Sequence, residues 1–286
     1  MIKSIKLLAI ALVATFVMTA CDTDTDGENR IVTTYSDGYN YVIDNEAGTS
    51  GIYSGISYNK GYVIELNLDK KVASVTIVGL NLSEDKTDLS FSLSNMAFTY
   101  GSNGYEVNAT NVTPYINGAP ASGYSFNSFK MTVNNYEILI SYEINNRYQV
   151  VVMPMTATYH TDSVVTTIAT GETYNTPEYS PYYVVELLRD DESGDMSADL
   201  YVYNAKFASN MPYQKEMVFK GIDVDFNKHG FTLSADRIVP EISSVPYERY
   251  VVTDLSGQCY VGIGLNIMYD VAGTWNVNST IMSQDN

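Results

Sequence analysis

Ile138-Leu139-Ile140-Ser141-Tyr142-Glu143-Ile144 decides the fold class. Ile138, Ile140, Tyr142 and Ile144 alternate with Glu137, Ser141 and Glu143. A period of two puts the apolar set on one face of a β-strand and leaves the other to water. An antiparallel sheet with one solvated face reads this way. The same alternation returns along the chain. Leu89, Phe91 and Leu93 stand against Ser90, Ser92 and Ser94, and Ile222, Val224 and Phe226 against Gly221, Asp223 and Asp225. Val261, Ile263, Leu265, Ile267 and Tyr269 stand against Gly262, Gly264, Asn266 and Asp270. Turn formers at Asn59-Lys60-Gly61, Ser102-Asn103-Gly104, Asn134-Asn135, Asn145-Asn146 and Lys228-His229-Gly230 part the runs at hairpin spacing. After the first twenty residues no window of helical spacing is long enough to compete, so the chain reads as all-β.

The sequence also repeats itself. Ile31-Val32-Thr33-Thr34, with Gly38 and Tyr41, is answered by Val164-Val165-Thr166-Thr167, with Gly171 and Tyr174. Tyr62-Val63-Ile64-Glu65-Leu66 is answered by Tyr183-Val184-Val185-Glu186-Leu187. In the longest match Gly104, Ala109, Pro114, Ile116, Pro120 and Tyr124 meet Gly230, Ala235, Pro240, Ile242, Pro246 and Tyr250. Copies of about 125 residues are domain-sized, far above the period of solenoids or propellers. The expectation is two similar antiparallel β-barrel or β-sandwich domains from an internal duplication, residues 31–158 and 159–286, with about eight strands each and a linker over Thr156 to Ser163. The second copy is longer between Leu187 and Met217, where Asp190-Asp191-Glu192-Ser193-Gly194-Asp195 reads as an exposed loop.

Residues 1–20 read as a signal peptide. Lys3 and Lys6 form a basic start, Leu7 to Met18 an apolar core too short to span a bilayer, and Met18-Thr19-Ala20 leads to Cys21. This segment resembles the lipobox of bacterial lipoproteins, which implies cleavage before Cys21 and diacylation of its thiol. Two or three acyl chains anchor a protein stably where one holds only marginally. Residues 21–30 form an acidic tether, Asp22-Thr23-Asp24-Thr25-Asp26-Gly27-Glu28-Asn29, too polar to order itself. Acid directly after the cysteine resembles the surface-export signal of Bacteroidetes lipoproteins, which implies an outer-membrane protein facing outward. Across residues 31 to 281, the pattern of apolar strand, Gly-Tyr or Gly-Phe and Pro-x-Ile turn resembles the calycin-like, lipocalin-like β-barrel lipoproteins of Bacteroidetes. Few of that family have an assigned activity.

With 33 acidic against 16 basic residues and a formal net charge of −17, nucleic acid and anionic headgroups are poor partners. Cys21 and Cys259 are the two cysteines, and lipid consumes the first, which leaves no intrachain disulfide. Cys259 reads as a small buried hydrophobe. His160 falls in the linker and His229 in a hairpin turn, neither at metal or triad spacing, and no nucleophile elbow, phosphate loop or zinc-protease helix is present. The chain is therefore read as a non-enzyme without metal or cofactor.

Tyrosine is the informative excess, 25 against 9 Phe and one Trp. Its flat apolar ring and hydroxyl suit sugar stacking and protein contacts outside the cell. Aromatics present in both copies (Tyr41 with Tyr174, Tyr62 with Tyr183, Tyr105 with Phe231, Tyr124 with Tyr250, Tyr148 with Trp275) are read as scaffold. The unmatched Tyr179 and Tyr182 are the ligand-binding candidates. Asp162-Ser163-Val164 resembles the Bacteroidetes O-glycosylation acceptor, and a linker would expose Ser163 to the enzyme. The functional expectation is a non-catalytic, lipid-anchored surface protein binding an extracellular ligand, glycan slightly ahead of protein. The rivals are an adhesin or pilus-like subunit and a lipocalin-like carrier of a lipophilic ligand.

Overall fold

The computed structural model describes residues 29–57, 59–134, 137–176, 181–190 and 192–281, the side chains of Ser54 and Ile281 apart. The signal peptide, Cys21 and the tether up to Glu28 lie outside them.

The first barrel is built from β1 (Arg30–Tyr35), β2 (Gly38–Asp44), β3 (Thr49–Ile56), β4 (Tyr62–Asn67), β5 (Val72–Leu80), β6 (Leu89–Gly101), β7 (Gly104–Val112), β8 (Tyr115–Ile116), β9 (Ala119–Pro120), β10 (Phe126–Val133), β11 (Ile138–Ile144) and β12 (Tyr148–Pro154). Its antiparallel order is β1-β4-β5-β6-β7-β10-β11-β12-β2, with β3 added outside β2. Only Ser36 and Asp37 separate β1 from β2. The two ends of this path are therefore one bent strand, and the sheet closes on itself.

The second barrel consists of β13 (Thr156–Thr167), β14 (Thr173–Asn175), β15 (Tyr182–Arg189), β16 (Met196–Ala205), β17 (Gln214–Asn227), β18 (Gly230–Ile238), β19 (Glu241–Ile242), β20 (Val245–Pro246), β21 (Val252–Tyr260), β22 (Gly264–Val271) and β23 (Trp275–Ile281). The circuit β13-β15-β16-β17-β18-β21-β22-β23 returns to β13, whose Thr156–His160 half pairs β15 and whose Thr161–Thr167 half pairs β23. The molecule is all-β with two similar domains, and strand order gives each a barrel-like circuit.

Strand register revises the first block of the repeat. Tyr35 lies opposite Tyr62 as Tyr159 lies opposite Tyr183, and Asp44 opposite Tyr148 as Thr167 opposite Trp275. Val164–Thr167 therefore answer Tyr41–Asp44 rather than Ile31–Thr34. The Thr-rich quartets resemble each other because both are generic β-formers. The other two blocks keep their register. In the last, the Pro-x-Ile segments form the small hairpins β8–β9 and β19–β20, turned by Asn117-Gly118 and Ser243-Ser244, all at positive φ.

Two other local expectations change. β12 ends at Pro154 and β13 begins at Thr156, so Thr156–Ser163 is strand and not linker, and 156–158 belong to the second barrel. Val261–Ile263 is the β21–β22 turn, with Gly262 at φ +68 and Ile263 71% exposed, so the alternating run from Val261 is not one strand, and Cys259 lies in β21, one residue before its end. Asp190, Glu192, Ser193 and Asp195 are exposed between β15 and β16, as expected of a loop, and the Asp190 carboxylate accepts from the backbone N–H groups of Glu192 and Ser193.

The centre of each barrel is filled by side chains. In the first, the Tyr62 hydroxyl donates to Asn40 Oδ1 at 2.5 Å and meets the Tyr142 hydroxyl at 2.9 Å. In the second, Tyr183 and Tyr269 hold the matching positions, and Tyr183 meets Ser279, which bonds Ser163. These buried hydroxyls are satisfied by one another, as an apolar interior requires.

The barrels also pack on each other. Along β2 and β12 the inward Val42, Tyr148, Val150 and Val152 join the first core, while the outward Tyr39, Tyr41, Val151 and Met153 join the second. The Tyr41 hydroxyl donates to the Phe226 carbonyl at 3.0 Å, and its ring lies 5.4 Å from that of Phe226. The outer wall of the first barrel thus covers the rim of the second where β17 ends.

Candidate functional site: the outer aromatic face of the second barrel

Tyr182 opens β15 on the outer face of the wall. Pairing sets it opposite His160 of β13 on one side and Tyr203 of β16 on the other. Cross-strand neighbours on one face stand close enough for their rings to meet. Tyr182 and Tyr203 stack at 4.7 Å with their planes 11° apart, and the His160 ring lies 5.5 Å from Tyr182. The three make a ridge of rings across three strands. One position along, the Tyr201 hydroxyl donates to Glu186 Oε2 at 3.0 Å. Glu216 stands opposite Tyr203. Partial burial, then the Glu216 carboxylate, pushes the Tyr203 phenol up to about 12, so it stays a neutral donor at any physiological pH.

The end of the barrel above this ridge carries more rings. Lys206 Nζ sits 5.6 Å from the Tyr174 ring and 5.0 Å from the Tyr213 ring, and Tyr213 is 45% exposed. Beneath them Phe207 stacks on Trp275 at 5.7 Å and meets Tyr250 at 5.6 Å, closing the mouth. The first barrel lacks this ridge at the matching positions. Tyr62 faces Ile77 as Tyr183 faces Val202, so Gly61 and Val78 take the places of Tyr182 and Tyr203. A β-carbon at Gly61 would collide with the Tyr35 carbonyl, which forbids a ring there.

Of the residues singled out by sequence, Tyr182 lies at the centre of this face, while Tyr179 and Cys21 lie outside the described residues. Tyr203 escaped the sequence reading and His160 was read there only as a linker residue, because they come from other strands and only register unites them with Tyr182. Ser163 is a correction. It is 3% exposed, faces the barrel interior and is bonded to Ser279, so no transferase reaches it in the folded protein. Cys259 is buried and free, and burial pushes its thiol well above its ordinary range. Among the described residues no cluster of three or more His, Cys, Asp or Glu could hold a metal ion, and no helix is long and apolar enough to cross a membrane. Comparison with protein-family models, curated proteins and solved structures gives no match.

Proposed function

We propose that the protein is a lipid-anchored, outward-facing surface protein of the outer membrane that binds an extracellular glycan on the outer aromatic face of the second barrel, without catalysis. The observation that carries this reading is the His160–Tyr182–Tyr203 ridge. Stacked rings on paired strands are rigid, so binding them costs little side-chain entropy. Their hydroxyls, with Glu186 and Glu216 beside them, suit sugar hydroxyls, and the exposed ring of Tyr213 suits a sugar's apolar face. The Cys21 lipid and the Asp22–Asp26 tether supply the anchor and the outward address in this reading.

The rivals draw less support. A carrier needs an apolar cavity, and the barrel centres hold Tyr62, Tyr142, Tyr183 and Tyr269, all fully buried. Strand-exchange assembly needs open edges, which barrel closure removes along most of the sheet. The outer side of β3, at the end of the first sheet's path, is one edge left for it.

Affinity electrophoresis against host and dietary polysaccharides tests the glycan reading. At least one polysaccharide should retard the wild type, and Tyr182→Ala with Tyr203→Ala should weaken that retardation while the protein stays folded. No retardation across the panel, or retardation indifferent to both substitutions, overturns it. Separately, Cys21→Ser should move the protein out of the membrane fraction, and a variant that stays there defeats the anchor.

A further inference from the structure

In both barrels one strand parts from its neighbour halfway along. β6 pairs β7 only from Phe98 to Gly101, and its next contact across the gap is Ser92 with Tyr115 of β8. β17 pairs β18 only from Asp223 to Asn227, and its next contact is Val218 with Glu241 of β19. A bulge sits at the parting in each, centred on Asn95 at φ +59 and on Gly221 at φ +67. The two gaps are the same feature, with different fillings.

In the second barrel the gap is bridged. Lys220 on one bank and Glu241 on the other form an ion pair at 2.8 Å. The matching residues of the first barrel are Ser94 and Tyr115, which are too short or too apolar to join. There the gap stays open as a groove of about 420 Å³. Met96, 3% exposed, lies in its floor. Ser94, Asn95, Asn108 and Thr110 stand along the banks, and Tyr115 closes one end. Among the described residues those four bank side chains make no hydrogen bond within the protein, and no charged side chain lines the groove.

We propose that this groove is a second binding site, separate from the aromatic face, and that it takes a segment of neutral oligosaccharide. Uncharged amides and hydroxyls on both banks match vicinal hydroxyls. A ring at one end suits the apolar face of a sugar, and an apolar floor takes its C–H edges. Without an ion of either sign in the lining, a phosphate, uronate or basic peptide finds no ion-pair partner there.

The second barrel supplies the test. Ser94→Lys with Tyr115→Glu transplants its bridge into the first, and Asn108→Ala is a milder companion should the pair disturb folding. Side-chain amide NMR signals of Asn95 and Asn108 in the full-length protein are followed as malto-, cello- and manno-oligosaccharides are added. At least one neutral series should shift both signals, and both the bridged variant and Asn108→Ala should weaken its binding about tenfold or more, the size of one or two lost contacts. Tyr182→Ala with Tyr203→Ala should leave the Asn95 and Asn108 shifts in place, which keeps this site distinguishable from the aromatic face. No shift with any neutral series, shifts with anionic sugars or extended peptides alone, or shifts unaffected by the bridge overturn the proposal.

Discussion

One strand does the same work in both barrels and is made differently. In the second barrel β13 runs unbroken and serves β15 with one half and β23 with the other. In the first, β1 and β2 divide that work, and the chain has one residue more between Tyr35 and Asp44 than between Tyr159 and Thr167. The break falls at Gly38, with φ +152, where β13 has Thr161. Beyond it the outer face also changes character. Tyr39 and Tyr41 are buried against the second barrel, whereas the corresponding Asp162 and Val164 face solvent. Duplication preserved the closure, and the outer surface of this one strand turned a repeated unit into an interface.

The largest test of that contrast is Tyr41→Ala. Tyr41 is 5% exposed, donates to the Phe226 carbonyl and lies against the Phe226 ring. Removing it should cost about 3–5 kcal/mol, as for other buried aromatics, and should split thermal unfolding into two transitions as the barrels uncouple. Val164→Ala, at the matching and exposed position, should change stability by less than about 0.5 kcal/mol. Differential scanning calorimetry reads both. A single cooperative transition in Tyr41→Ala at nearly the wild-type temperature would deny the interface its role.

Gly38 comes next. A β-carbon there would fall on the Met153 carbonyl oxygen and 2.9 Å from the Tyr35 hydroxyl, on a backbone few side chains adopt. Gly38→Ala should therefore cost about 3 kcal/mol, the upper end for a strained residue. Thr161→Ala, in the unbroken strand, loses only a long 3.5 Å contact to the Pro181 carbonyl and should cost about 1 kcal/mol. Equal urea-denaturation losses would mean that the break in β1–β2 is not held by Gly38.

These residues also show what the sequence could and could not yield. Alternation at Ile138–Ile144 and the Pro-x-Ile repeats were legible because period and turn chemistry are local. Closure was not, since it depends on β13 finding β15 and β23 at opposite ends of the domain. The Ile31–Thr34 match misled because β-branched residues recur in strands of any register, and Ser163 because, after Tyr159, the inner face of its strand carries the polar Thr161 and Ser163. Tyr182 stood out by having no partner in the other copy. His160 and Tyr203 gained meaning only when pairing placed them beside it.

The smallest effect lies at the far end of the same strand. Asp44 in the first barrel matches the uncharged Thr167 in the second. Its side chain is 7% exposed, accepts from Arg147 Nε at 2.9 Å and Nη2 at 2.7 Å, and takes the N–H groups of Glu46 and Ala47. The Arg147 hydrogen bonds above all hold its carboxyl down to about 2, against about 3.9 in an unfolded chain. A carboxyl depressed by folding stabilises above its unfolded value and loses that contribution as pH falls through the folded one. The stability gap between wild type and Asp44→Asn should accordingly be constant above about pH 5 and close between about pH 4 and 2. Arg147 also pairs with Glu46 at 2.8 Å and is one-third exposed, so the gap should be modest. Urea midpoints of both proteins across this range check it. A gap that persists at pH 2 would mean that Asp44 holds its strand end by shape rather than by charge.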